Sequence, residues 1–211
     1  MRRPEFIARQ SRCPTGLLGR LIARVMAVET GEASTHLLGL LELQPTDQVL
    51  ELGFGHGRTI ERAAALVPQG FVAGVDLSEE MVRMATHRTR HLVRQRRVEL
   101  QLGDSAHLLY PDCRFDKVYS LHTLYFWPDP KEHLREVHRV LKPGGRFVIG
   151  FGPRDDKKAS ANFPATVYRF YTSDEVCVLL EQVGFQGIDM IRRSIASRSI
   201  VFATAGRRAS S

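Results

Sequence analysis

Apolar runs of strand length alternate with amphipathic stretches of helix length along most of this chain, the pattern of a parallel sheet covered by helices. Strands are predicted near Gln48–Gly53, Phe71–Asp76, Val98–Gly103, Phe115–Leu121 and Gly145–Phe151, then a terminal pair near Ile188–Arg193 and Ser199–Thr204. Helices are predicted near Thr59–Val67, Ser78–Val93, Pro130–Leu141 and Ser173–Val183, with two more at the N-terminus. Within that N-terminal part Leu17, Leu18, Leu21, Ile22, Val25 and Met26 recur at helical spacing on one face, which packing against the body of the domain explains more readily than a lid or membrane contact. Ser78 before Glu79 and Glu80 supplies an N-cap and early acids, and Ser173 before Asp174 and Glu175 repeats the device. Lys142-Pro143-Gly144-Gly145 closes a helix and turns into a strand. The expected organisation is N-terminal helices over 1–44, one α/β domain over 45–205 and a frayed tail over 206–211.

Length agrees with a single domain, since 211 residues leave little room for two. Hydrophobic residues at 43% and charged residues at 25% argue against a largely disordered chain. No apolar stretch approaches the roughly 20 residues of a spanning helix; Leu17–Val28 comes closest and is interrupted by Arg20 and Arg24. Cys13, Cys113 and Cys177 are too few and scattered for a disulfide framework or a zinc site, so no metal is expected and a reducing cytoplasm suits them. The arginine-rich, acid-poor N-terminus is also the composition of an organellar presequence. A net charge of +7 raises the question of nucleic acid. The run Arg83, Arg88, Arg90, Arg94, Arg96 and Arg97 lacks interleaved aromatics on which bases could stack, so a solvated helix face is preferred and no nucleic-acid partner is expected.

Candidate chemistry centres on Val49-Leu50-Glu51-Leu52-Gly53-Phe54-Gly55-His56-Gly57, an acid near the end of an apolar strand followed by glycines at alternate positions. A dinucleotide fingerprint built on Gly53 and Gly55 needs its third glycine at position 58, where Arg58 stands; the spacing favours S-adenosylmethionine over NAD. A turn between strand and helix that binds nothing is the plainer alternative. Ligands of open α/β sheets sit beyond the carboxyl ends of the strands. That rule selects Glu51 and the glycine loop, Asp76 after the second strand, Asp104 after the third, and Ser120–Tyr125 after the fourth. Asp76 is placed to accept both hydroxyls of a ribose and Asp104 an adenine amine. Each acid alone is as well explained by a turn or a cap; their joint appearance after three successive strands singles them out.

These residues resemble the class I S-adenosylmethionine-dependent methyltransferases, in particular the group similar to the ubiquinone and menaquinone C-methyltransferases. The matching stretches are the glycine loop, Gly74-Val75-Asp76-Leu77-Ser78, Gly103-Asp104-Ser105, Phe115-Asp116-Lys117-Val118 and Glu136–Phe151, together covering about residues 45–152 in the expected order. The resemblance implies a Rossmann-like doubly wound sheet of seven strands, order 3-2-1-4-5-7-6, with the last strand antiparallel. It also implies that Gly53, Phe54, Gly55 and Gly57 hold the methionine end of the cofactor, with Glu51 ordering that loop. Asp76 would take the ribose, Leu77 would lie against the adenine, Asp104 would receive the adenine amine with the Ser105 backbone beside it, Gly103 would belong to the same cofactor-binding set, and Ser120 and Leu121 would line the sulfonium end by backbone contacts. The family's Asn-Thr-x-Tyr-Phe-Trp pattern reads His122-Thr123-Leu124-Tyr125-Phe126-Trp127 here, which leaves the role of position 122 open.

Methyl transfer from a sulfonium needs chiefly proximity, alignment and a dry site. His122 and Tyr125 are the candidate catalytic residues, His122 as a base where the acceptor must lose a proton; a histidine that only hydrogen-bonds the backbone or the cofactor is the alternative. Trp127, Phe163, Tyr168 and Tyr171 are expected to wall a pocket for a small apolar or aromatic acceptor, with residues 1–44 as part of a lid. The product would be S-adenosylhomocysteine, and the protein a cytoplasmic monomer or homodimer. Rival readings are a nucleic acid methyltransferase, an NAD-dependent oxidoreductase and a non-catalytic S-adenosylmethionine-binding protein. The first lacks its Asn- or Asp-Pro-Pro-aromatic site, and Cys113 and Cys177 fall outside the place of a C5 nucleophile.

Overall fold

Val49, Leu50, Leu52, Val72, Ala73 and Val75 are all buried, as expected of strands covered on both faces. The computed structural model describes residues 4–16, 19–20, 22, 30–156 and 162–209. Seven strands, β1 (Gln48–Leu52), β2 (Phe71–Asp76), β3 (Val98–Leu102), β4 (Phe115–Leu121), β5 (Leu141–Phe151), β6 (Gln186–Ile195) and β7 (Arg198–Gly206), form one sheet. Its order is β3-β2-β1-β4-β5-β7-β6, the order expected. β1 to β5 run parallel to one another, while β7 runs antiparallel to both β5 and β6. Alternate residues feed two cores: Leu50, Leu52, Phe147 and Ile149 point to one face, and Val49, Tyr119, Val148 and Phe202 to the other.

The described helices are α1 (Glu5–Arg12), α2 (Gly31–Leu40), α3 (Arg58–Leu66), α4 (Glu79–Arg94), α5 (Pro130–Val140) and α6 (Ser173–Val183). The apolar face predicted over Leu17–Val28 lies almost wholly outside the described residues. Ser78 caps α4, its hydroxyl accepting from the Met81 N–H at 3.3 Å. The cap of α6 is Thr172 rather than Ser173: Thr172 Oγ1 accepts from the Glu175 N–H and Glu175 Oε2 accepts from the Thr172 N–H, at 3.2 and 2.8 Å. This reciprocal pair satisfies two otherwise free donors and displaces Ser173 into the first turn.

The terminal strands run longer than their apolar pattern, since antiparallel pairing from Gln186 to Ile195 continues past the alternating residues. β7 therefore includes Gly206, and the tail expected from that residue begins only after Arg207, whose guanidinium donates to the carbonyls of His138, Arg139 and Leu141. Part of the arginine run on and after α4 is likewise spent internally. Arg83 pairs with Glu80, Arg88 reaches Glu61 at 3.4 Å, and Arg97 donates to the Val67 carbonyl at 3.0 Å. No helix among the described residues is long and apolar enough to cross a membrane.

Candidate active site

Strand order reverses between β1 and β4, and the cavity opens at their carboxyl ends, as topology requires of a doubly wound sheet. Glu51, Gly53, Phe54 and Gly55 line it from the first loop, and Asp76 and Leu77 from the second. Gly103, Asp104 and Ser105 contribute from the third, and Leu121, His122 and Trp127 from the fourth. Thus residues far apart in sequence converge where the sequence placed a ligand.

Asp76 ties two loops together: Oδ2 accepts from the Gly55 N–H at 2.8 Å and Oδ1 from the Ser78 N–H at 2.9 Å. Burial raises its pKa, and the two backbone donors oppose that rise. Gly53 and Gly55 both take positive φ, +71° and +56°. A Cβ on Gly53 would collide with the Thr123 methyl, whereas one on Gly55 meets nothing within 4 Å; the loop's free space is over Gly55. Gly57 does not line the cavity. Its φ of +81° and the Ala85 Cβ, 2.7 Å from where its own would stand, give it a packing duty between α3 and α4.

Glu51 is only 4% exposed. Its Oε2 accepts from the Tyr119 hydroxyl at 2.8 Å, across the β1–β4 pair. Burial pushes its carboxyl up to about 8, with the Tyr119 hydrogen bond opposing and the Asp76 charge assisting. An acid so placed is poised to receive a cationic group, whose charge would replace the water it has lost.

Asp104 Oδ1 accepts from the Ala106 N–H at 2.9 Å and lies 3.8 Å from His133 Nδ1. Ser105 Oγ bonds the same His133 nitrogen at 2.8 Å, and the imidazole stacks on Trp127 with ring centres 4.6 Å apart. Burial holds His133 neutral by lowering its pKa to about 4. The sequence reading missed His133. Its signal was the apolar stripe of α5, where Pro130, His133, Leu134 and Val137 are buried together.

His122 stands on the cavity wall with φ +59°, an unusual conformation for a side-chain-bearing residue, and its N–H donates to the Gly150 carbonyl at 2.8 Å. Burial, helped by Arg198, lowers its pKa to about 4. Other expected residues sit behind the wall rather than on it. Ser120 is fully buried, with Oγ donating to the Leu52 carbonyl at 3.0 Å and bonded to Thr123. Tyr125, Phe163 and Tyr168 form an aromatic cluster with Phe126 and Phe170, of which Phe126 reaches the cavity. Tyr171 does not line the cavity either; its ring lies under the Arg169 guanidinium at 5.2 Å. Of the predicted wall residues Trp127 lines the cavity, joined by Phe126, while Phe163 and Tyr168 pack behind Phe126.

The N-terminal segment supplies lining that no motif signalled. Ser11, Arg12 and Pro14 reach the cavity from α1 and the turn after it, and Thr30 and Ser34 from the start of α2. Ser78 Oγ donates to the Pro14 carbonyl at 2.5 Å and Arg20 pairs with Glu80, so this segment is fastened to the start of α4. Among the described residues no group of His, Cys, Asp and Glu is arranged to hold a metal ion.

Residues 50–149 match the model of a methyltransferase domain family. The chain is 35% identical over 121 residues to the 27-O-demethylrifamycin SV methyltransferase of Amycolatopsis mediterranei, covering 57% of this chain and 44% of that protein. It is 28% identical over 186 residues to a demethylmenaquinone methyltransferase of Lactobacillus johnsonii, covering 76% of each. Among solved structures, the [4+2]-cyclase SpnF superposes with a TM-score of 0.71 at 20% identity, over 85% of this chain and 82% of that one. The strand order and these likenesses define a Rossmann-like fold. Residues 50–149 carry the pattern of a methyltransferase domain, and the proteins this chain is similar to include demethylmenaquinone methyltransferases. It spans less than half the length of the rifamycin methyltransferase.

Proposed function

We propose that this protein transfers a methyl group from S-adenosylmethionine to a small molecule with apolar or aromatic surface. The observation that carries the reading is the convergence of Glu51, the Gly53–Gly55 loop, Asp76 and Asp104 on one cavity at the switch point of the sheet. The residues fit the cofactor. Glu51, a buried acid whose one described partner is Tyr119, would receive the ammonium of the methionine moiety. The open backbone over Gly55 admits the chain beside it. Asp76 would take the ribose with the lone pairs that its two backbone bonds leave free. Leu77, 46% exposed, and Gly103 would flank the adenine, and Asp104 and Ser105 would meet its edge. Bound there, the cofactor supplies an activated methyl on a sulfonium centre.

The protein's part is to align the acceptor and exclude water. Leu121, Phe126 and Trp127 offer apolar wall next to His122. The N-terminal segment, fastened through Pro14 and Arg20, closes over the opposite side as part of a lid. The three cysteines are free, in keeping with a cytoplasmic protein, and we infer a monomer or homodimer that does not act on nucleic acid. Incubation with methyl-labelled cofactor and separate small-molecule, nucleic-acid and protein pools tests this. Label entering the small-molecule pool, and lost with Asp76→Ala, is expected; label entering nucleic acid alone would overturn the acceptor class.

A further inference from the structure

We propose that His122 presents a neutral Nε2–H to the cavity and donates it to an oxygen of the methyl acceptor, with Tyr125 as the positioning residue that fixes this tautomer. The acceptor class is then one carrying a hydrogen-bond-accepting oxygen beside the methylated atom, such as a phenol, an enol or a carbonyl compound. The inference rests on the cavity being the methyl-transfer site.

The argument follows the hydrogens. The Gly152 N–H can only donate, and it is bonded to the Tyr125 hydroxyl oxygen. That oxygen accepts, so the phenol's own proton must go elsewhere. Its other described partner is His122 Nδ1, at 2.9 Å. Because Tyr125 is buried, its proton needs an acceptor, and Nδ1 is the described atom in reach; a neutral imidazole that accepts there carries its own proton on Nε2. The imidazole is kept neutral by its burial and by the positive charge of Arg198 at the start of β7. Tyr125 is itself fixed, 7% exposed and packed edge-on against Phe126 with ring centres 5.9 Å apart.

The backbone adds a second constraint. His122 holds φ +59° with its backbone N–H on the Gly150 carbonyl, so the residue is held at two points, its backbone by β5 and its ring by Tyr125. Strain of this kind persists where the surroundings over-determine it. His122 lines the cavity while no described residue bonds Nε2. A donor facing a drying site calls for an acceptor atom on the ligand. The same tautomer leaves no lone pair on Nε2, so this nitrogen does not take a proton from the acceptor. An oxygen that must be ionised loses its proton to solvent before the site closes, and the N–H then favours the anion.

Nitrogen NMR of protein labelled in its histidine rings and saturated with S-adenosylhomocysteine tests this without a known acceptor. The His122 signals are assigned by their absence in His122→Gln. The proposal expects Nδ1 to resonate as an unprotonated nitrogen and Nε2 as a protonated one at neutral pH, and expects Tyr125→Phe to mix the tautomers. A wild-type spectrum with Nε2 unprotonated overturns it, as does a Tyr125→Phe spectrum unchanged from wild type. Calorimetry on the same samples separates the two readings: absence of S-adenosylhomocysteine binding would sink the proposed function, whatever the tautomer.

Discussion

Glu51→Gln is expected to make the ligand-free protein more stable while weakening its hold on the cofactor. Burial pushes the Glu51 carboxyl from its ordinary 4.5 up to about 8. In the unfolded chain the same group ionises near 4.5, so between these values the unfolded state has released a proton that the folded state keeps. Stability therefore falls as pH rises from 4.5 towards 8, and levels off above it. Each pH unit of separation corresponds to about 1.4 kcal/mol, which makes the penalty about 3 kcal/mol at pH 7, about 4 kcal/mol at pH 8 and about 5 kcal/mol on the plateau above it. Glutamine never ionises, fills nearly the same volume, and its amide oxygen can accept the Tyr119 hydroxyl as Glu51 does at 2.8 Å. Urea titration of the ligand-free proteins at about pH 5, 7 and 8 measures the difference. The variant should gain over wild type, and the gain should grow with pH. A gain that is flat across this range, or a loss at the highest pH, would refute the reasoning. The cofactor side of the trade is read by calorimetry, where the loss of a carboxylate partner for an ammonium should weaken binding about tenfold or more.

Gly57→Ala forces a side chain into a left-handed residue and drives its Cβ against Ala85, 2.7 Å away, so a loss of about 3 kcal/mol is expected by chemical denaturation; a loss below about 1 kcal/mol would mean that α3 and α4 separate at little cost. Thr172→Ala should cost about 1 kcal/mol through the α6 capping box, whereas Ser173→Ala should cost almost nothing, and equal losses would contradict the assignment of the cap. Arg207→Ala removes bonds to three carbonyls and should lower stability by about 2 kcal/mol; no change in the urea midpoint would show that the chain end is not anchored there.

The sheet was legible because its strands are nearly all apolar and lie between turn residues, a signal that survives without knowledge of partners. The acids and glycines of the cavity were legible for a related reason: each follows a strand, and parallel topology sends every strand's carboxyl end to the same edge. What the sequence hid depends on paths through space. Ser11, Arg12 and Pro14 carry no motif, and only the fastening of Pro14 to Ser78 brings them over the cavity. His133 reads as one more polar residue of a helix until its stacking on Trp127 and bond to Ser105 are seen. Ser120 and Gly57 sit within the motif yet do not line the cavity, because alternation along β4 buries the Ser120 side chain and the turn of the loop presents Gly57 to α4. Ser173 was displaced as a cap by Thr172 because both have the right chemistry, and the choice is made by the spacing to Glu175.

Calorimetric titration of the purified protein with S-adenosylmethionine, S-adenosylhomocysteine and NAD, with Asp76→Ala alongside, tests the central claim most directly. The account predicts micromolar binding of both sulfur ligands, abolished in the variant, and none of NAD. Binding of NAD alone, or sulfur-ligand affinity unaffected by loss of the Asp76 carboxylate, would contradict it.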